Sequence, residues 1–231
     1  MESERPGLRV RLMHRWGAWL GRRMKQWEAW VRSTELRKGT RENIHGLEVV
    51  IHRTDAACTR ARLDKVRAAL DVVARHDPRS LEAMRTHFSA ILVWRWMVGA
   101  NGSYLHSERL CTLYCDYVGD ADTEPARIAM TLIHELTHAK HDSRAPRRQP
   151  MSREHAEWLC IGAELAFIKK VPGTEHLRQA AERRLERRPQ FYSRAADLER
   201  QIEQLEAAGG HRWTAFFRSL QRRRARDGNR G

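Results

Sequence analysis

The sequence predicts an α+β protein, and three observations carry that prediction. Short runs rich in β-branched and aromatic residues occupy positions 47–52 and 89–118. Apolar residues recur at three- and four-residue steps over most of positions 124–226. The chain has 231 residues, of which 41% are hydrophobic, and can therefore bury one core of ordinary size. We expect a small sheet from the first half of the chain and helices from the second half.

The strands are predicted between a polar break at positions 33–45 and the helical half. Residues 47–52 alternate between apolar and polar side chains, as a half-buried strand does. Residues 89–98 and 104–118 are typical of further strands, and Asn101-Gly102 between them is a strong hairpin signal. These features predict a short antiparallel sheet of two or three strands.

Helical periodicity predicts the remaining elements. The first helix covers residues 56–75 and should end near Asp77-Pro78, because the residue before a proline is disfavoured in helical conformation. Further helices are predicted at positions 124–142, 153–170, 175–187, 191–208 and 213–226. The second half of the chain is therefore expected to be entirely helical.

Residues 8–31 form a predicted basic amphipathic helix at the amino terminus. Trp16, Trp19, Trp27 and Trp30 fall on one side of it, and most of its arginines lie elsewhere. Such a helix can lie on an anionic membrane surface, with the Trp rings at the level of the headgroups. It can also pack on its own domain or on a partner chain. Packing is the favoured interpretation, because it explains the Trp stripe without lipid, and the helix is also a candidate inhibitory segment.

Composition and charge limit the partners of the protein. Lys and Arg total 43 against 29 Asp and Glu, a formal net charge of +14, so anionic partners are expected. No apolar run approaches the roughly 18 residues that a membrane-spanning helix needs, and no secretory signal is recognisable. We therefore expect a cytoplasmic protein, peripheral at the membrane if residues 8–31 bind lipid. The basic stretch at 218–226 is more simply a solvated tail than a nucleic-acid contact, because no nucleic-acid module accompanies it.

The cysteines are few and do not form a zinc-binding pattern. Spacing favours four reduced thiols that act as small buried hydrophobes: Cys58, Cys111, Cys115 and Cys160. Cys111 and Cys115 are four positions apart, and no second pair exists to complete a zinc ribbon.

Residues 134–138 carry the motif with chemical content, His-Glu-Leu-Thr-His. Four residues make about 1.1 helical turns, so the imidazoles of His134 and His138 project from one face and can share a metal ion. Glu135 points away from that axis and can accept a proton from a water molecule that the metal activates. The uncharged residues around the motif indicate a buried helix.

A hydrolytic zinc site needs a third protein ligand. His141 shares the face of the two histidines but lies about 10.5 Å along the axis from His134, too far for one ion. The next predicted helix is largely apolar, yet it carries Glu154, Glu157 and Glu164 along one stripe, and buried carboxylates need a cation. Glu157 is the favoured ligand. The other two glutamates and His141 are candidates for supporting the ligands, Glu164 either by pairing with an arginine or by holding a ligand in place.

The motif followed by eighteen residues and Glu157 resembles the gluzincin group of zinc metallopeptidases, to which the thermolysin-like peptidases belong. The resemblance covers residues 89–170. It implies a zincin core, in which a short antiparallel sheet covers the active-site helix and a glutamate helix supplies the third ligand. By the same resemblance His134, His138 and Glu157 would bind Zn²⁺, and Glu135 would activate water.

The resemblance also implies how substrate binds. A peptide would add as a strand to an edge strand just before the active-site helix, a place that residues 109–118 occupy. The sequence also departs from the family pattern. Ile161 stands where thermolysin-like enzymes have an acidic residue that supports a ligand, and an oxyanion-stabilising side chain is not evident. His176 and Tyr192 are candidates for that role by position alone.

These expectations divide the chain into three parts and suggest its function. Residues 1–45 would be the Trp-rich helix and linker, 46–172 the zincin-like metallopeptidase domain, and 173–231 a helical extension with the basic tail. The expected function is zinc-dependent hydrolysis of a peptide or protein substrate, with Glu135 as general base. The alternatives are a non-catalytic zincin-fold protein that binds a membrane or a partner through its Trp-rich helix, and a protease acting on DNA-bound proteins.

Overall fold

The computed structural model describes residues 32–34, 36–52, 55–95, 101–143 and 152–187, and they form an α+β fold built on a five-stranded sheet. The predicted helices at 8–31, 191–208 and 213–226 lie outside the described residues, as does the basic tail. Within the described part, the helices predicted from residues 56, 124, 153 and 175 onward are confirmed.

The sheet is mixed, with parallel strands at its centre and an antiparallel pair at each edge. Its strands are β1 (Thr40–Ile44), β2 (Leu47–Ile51), β3 (Ala90–Trp94), β4 (Gly102–Leu105) and β5 (Leu110–Tyr114), in the order β1-β2-β3-β5-β4. β3 pairs in parallel with both β2 and β5, whereas β1–β2 and β4–β5 are antiparallel. The prediction of an antiparallel sheet is therefore wrong. Two helices connect β2 to β3, and such a crossover brings the second strand back in the same direction.

The hairpin prediction at Asn101-Gly102 is also wrong. β4 begins at Gly102, and the chain reverses between β4 and β5 through a 3₁₀ turn, His106–Glu108, and Arg109, whose φ of 51° is left-handed. A tight turn joins β1 to β2 at His45 and Gly46, both with positive φ, as a two-residue hairpin requires. An edge strand, β1, therefore lies within the predicted polar break. Its side chains are mostly polar and exposed, so the sequence there resembles a loop.

The helices are α1 (Ala56–His76), α2 (Pro78–His87), α3 (Cys115–Gly119), α4 (Pro125–Asp142), α5 (Arg153–Ile168) and α6 (Glu175–Leu185). α1 ends where Asp77 becomes the N-cap of α2, with Pro78 in its first turn. The prediction of one strand at 104–118 is wrong, because the 3₁₀ turn divides this stretch between β4 and β5 and its last residues form α3.

The main core lies between one face of the sheet and helices α1, α2 and α4. Alternate strand residues such as Ile91 and Val93 face this core, and α1 contributes Leu63, Val66 and Leu70. The opposite face of the sheet carries a smaller apolar cluster of Val50, Ala90, Leu92, Trp94 and Leu110, packed with Leu36 and Leu105.

α4 is the central helix of the fold, because it packs against α1, α2, α5 and the edge strand β4. Its contact with β4 is close. A Cβ atom built on Gly102 would lie 2.6 Å from Cγ2 of Thr131 and 3.1 Å from Oε1 of Glu135, so only glycine lets the strand approach α4 this closely.

We expect Gly102→Ala to lower the free energy of unfolding by about 1–3 kcal/mol, because the added methyl group overlaps Thr131. Adding Thr131→Ser removes that methyl group but keeps the hydroxyl that contacts Tyr117, and should restore part of the loss. Urea unfolding of both variants measures the effect. Equal stability of the single and double variants would contradict a close β4–α4 contact.

Candidate metal centre

His134 and His138 lie one turn apart on α4 and face α5. Their Nε2 atoms are 3.1 Å apart, and their ring centroids are 4.9 Å apart. Both side chains are largely buried, with 13% and 25% of their surface exposed. The four-residue spacing of the motif thus places two imidazole nitrogens next to each other and beside α5.

Glu157 on α5 meets both imidazoles. Its Oε2 lies 3.3 Å from Nε2 of His134, and its Oε1 lies 3.7 Å from Nε2 of His138. Around a tetrahedral zinc ion with bonds of about 2.0–2.1 Å, neighbouring ligand atoms are roughly 3.3–3.4 Å apart. The two nitrogens and the carboxylate already have nearly these separations, so the donor set fits a zinc ion.

Cys160 is a second candidate for the third ligand. It lies one turn after Glu157, is fully buried, and its Sγ lies within 4.8 Å of a ring nitrogen of each histidine. Thiolate sulfur binds zinc with a bond of about 2.3 Å, so this side chain also lies near enough to take part in a metal site. Burial raises the pKa of the Cys160 thiol, whereas Glu157 is already a carboxylate, so Glu157 is the favoured third ligand. A metal ion can thus be held here, and the protein atoms alone do not fix its identity.

The other cysteines lie away from this cluster. Cys111 and Cys115 are buried, as predicted, whereas Cys58 is exposed on the first turn of α1, where its backbone N–H donates to the N-cap Asp55. The interpretation of Cys58 as a buried hydrophobe is therefore wrong. Its place in the sequence next to apolar alanines does not reveal which side of the helix faces solvent.

Glu164 lies two turns beyond Glu157 and contacts the far side of His134. Its Oε1 accepts a hydrogen bond of 2.6 Å from Nδ1 of His134, and its Oε2 accepts one of 2.6 Å from Nη1 of Arg184 on α6. Only 4% of the Glu164 side chain is exposed. A carboxylate that binds the second nitrogen of an imidazole in this way orients the first nitrogen toward a metal.

Glu135 lies on the side of α4 that faces the edge strand β4. Its carboxyl group is buried and accepts a hydrogen bond from the backbone N–H of Tyr104. Burial raises the pKa of Glu135 to about 7, with further raising by the charges of Glu157 and Glu164, although the charge of His134 opposes the change. The two histidines therefore face α5, whereas Glu135 faces β4.

The pKa values in the cluster are strongly shifted. Burial would lower the pKa of His134, but its hydrogen bonds to Glu157 and Glu164 outweigh burial and raise it to about 10. Burial, together with the charge on His134, lowers the pKa of His138 to about 4. Burial disfavours the Glu157 carboxylate, yet the hydrogen bond from His134 lowers its pKa to about 2. In the protein alone and near neutral pH, His134 is therefore protonated, His138 is neutral and Glu157 is ionised.

The remaining predicted site residues lie around this cluster. Glu154 is in the first turn of α5, one turn before Glu157, and the ion pairs to the histidines come from Glu157 instead. His141 is in the last turn of α4, where its charge helps to lower the pKa of His138. His176 pairs with Glu124 at the start of α4, about 15 Å along the axis from His134, and Tyr192 lies outside the described residues.

Three contributors to the site escaped the sequence analysis. Cys160 follows Glu157 by three positions, and this spacing could have predicted that both side chains lie on the same face of the helix. Gly102 and Arg184 approach α4 and α5 from distant parts of the chain. No local sequence pattern predicts contacts between segments that are so far apart along the chain.

Comparisons of the chain with models of protein families, with curated proteins and with solved structures give no match. No helix in the described ranges combines the length and apolarity needed to cross a membrane. The chemistry of the centre must therefore be inferred from its own side chains.

Zinc binding should release about one proton near neutral pH, because the metal displaces the proton of His134, whose pKa is about 10. Zinc affinity should then rise about tenfold per pH unit between about pH 6 and 8. Titration calorimetry in buffers of different ionisation enthalpy measures the protons released. A value near zero would contradict a protonated His134.

The choice between Glu157 and Cys160 as third ligand can be made with cobalt. We expect Glu157→Ala to lose stoichiometric metal, while Cys160→Ser and Glu154→Ala keep it, because Glu157 places one carboxylate oxygen 3.3 Å from Nε2 of His134 and the other 3.7 Å from Nε2 of His138. The cobalt-loaded protein should lack a thiolate-to-cobalt absorption band in the near ultraviolet. Such a band, lost in Cys160→Ser, would assign the cysteine instead.

Proposed function

We propose that this protein is a zinc-dependent peptide hydrolase with a minimal gluzincin-type core. The observation that supports the proposal is that His134, His138 and Glu157 bring their ring nitrogens and carboxylate oxygens within 3.1–3.7 Å of one another, with Glu135 on the neighbouring side of the same helix. In the sequence, only the motif and the eighteen-residue spacing relate these residues. Their proximity in the fold is a second observation that supports a shared metal site.

The side chains divide the work of such a reaction. His134, His138 and Glu157 would hold the zinc ion. When bound, the metal supplies Lewis acidity, which makes water a stronger acid and a carbonyl group a better electrophile. Glu135 takes a proton from the attacking water and returns it to the leaving amine, which is the role of a buried carboxylate beside the metal ligands.

β4 is the element against which a peptide substrate would bind. It is an edge strand, it packs on α4, and its Tyr104 N–H touches the carboxyl group of Glu135. A peptide that adds to the free edge of β4 would run past Glu135. The predicted substrate strand at 109–118 must be corrected to residues 102–105, because β5 lies inside the sheet between β3 and β4.

We expect Glu135→Gln to lower peptide hydrolysis by at least about a hundredfold while zinc content and fold are retained, because the amide cannot take the proton. Glu154→Gln is the matched control and should leave the rate unchanged. Both variants are assayed on a peptide library with zinc content measured in parallel. Equal rates in the wild type and Glu135→Gln would exclude this carboxylate as the base.

A zinc-loaded wild type that cleaves no peptide in the library would favour the non-catalytic alternative. In that case binding to a partner or to lipid would depend on the Trp-rich segment. Substituting Trp16, Trp19 or Trp27 by Ala would then abolish the function, whereas Glu135→Gln would not.

A further inference from the structure

Glu164 is a buried carboxylate with a different hydrogen-bond partner on each oxygen. His134 binds Oε1 and Arg184 binds Oε2, both at 2.6 Å. The two partners come from different helices, α4 and α6, while Glu164 itself belongs to α5. One side chain therefore ties three helices together directly behind the candidate metal ligands.

We propose that Arg184 is a positioning residue of the metal centre, which acts through Glu164 to fix the ring of His134. The proposal rests on the metal site of the proposed function but not on hydrolysis. The guanidinium group of Arg184 donates to Oε2 of Glu164. It holds the carboxylate that holds the imidazole.

The geometry explains why an arginine is needed at this place. Glu164 has only 4% of its side chain exposed, so water cannot easily replace a lost partner on Oε2. Without Arg184 that oxygen would be buried without its charged partner, and the carboxyl group would turn toward solvent. This change loosens the bond to Nδ1 of His134 and frees its ring to rotate away from Glu157.

The arginine reaches this buried position from the surface. Arg184 is in the last turn of α6 and is 40% exposed, so its aliphatic stem spans the distance while its guanidinium group makes a charge-assisted hydrogen bond. The neighbouring Arg183 is exposed on the same turn and supplies a control of equal charge. By this proposal α6, predicted as part of an extension beyond residue 172, belongs to the metal-binding unit.

The test compares zinc affinity in Arg184→Met and Arg183→Met of the full chain, by competition with a chromophoric chelator. We expect Arg184→Met to weaken zinc binding roughly 10–100-fold, the usual effect of losing a group that supports a ligand, and Arg183→Met to leave it unchanged. The visible spectrum of the cobalt-loaded protein should change only in Arg184→Met, because a shift of His134 alters the ligand geometry.

Coupling to Glu164 is tested by a double-mutant cycle. Arg184→Met should have no further effect on zinc affinity once Glu164→Gln is present, because the arginine acts only through that carboxylate. Additive losses would overturn the proposed route. Wild-type zinc affinity in Arg184→Met would overturn the proposal altogether.

A third variant keeps the test decisive if Arg184→Met does not fold. Arg184→Lys retains the positive charge but not the planar guanidinium, and should bind zinc at least about threefold more weakly than the wild type. Equal affinity in this variant would overturn the proposal. A wild type that binds zinc without cleaving peptides would refute the proposed function and leave the role of Arg184 intact, whereas a wild type that binds no metal would refute both.

Discussion

The structure depends on a cluster of charges enclosed between α4, α5 and α6. Glu157 and Glu164 are carboxylates that the fold takes largely out of water, and each needs a cation close by. In the protein alone His134 supplies positive charge to both, and Arg184 supplies more to Glu164. A divalent cation at the Nε2 atoms would take over that role toward Glu157, and Glu164 would remain paired through Nδ1–H of His134 and through Arg184.

The surrounding fold serves mainly to place α4. This helix is held by α1 and α2 on its core side, by α5 on the side of the histidines, and by β4 on the side of Glu135. Gly102 lets β4 lie close against Thr131 and Glu135, where any larger residue would overlap. His134 and Glu135 are therefore neighbours in sequence, but their side chains lie against different elements and do not compete for the same space.

The sheet topology determines which strand lies beside Glu135. Because β5 is enclosed between β3 and β4, only β4 presents an unpaired edge next to α4 among the described strands. The carboxyl group of Glu135 contacts the backbone of that same strand. Substrate binding and proton transfer, as proposed, would thus take place on one side of α4, while the contacts that hold the ligands in place lie on the other side.

Local periodicity and spacing alone determined much of this protein. They predicted α1, α4, α5 and α6, the stripe that carries Glu157 and Glu164, and the shared face of His134 and His138, because a helix converts sequence separation directly into direction. Tertiary structure decided what local spacing cannot encode. Strand pairing depends on which segments the crossover helices bring side by side, so the parallel centre of the sheet and the edge position of β4 were not predictable. The meeting of Arg184 with Glu164, and of Gly102 with α4, likewise follows from packing between segments that are distant along the chain.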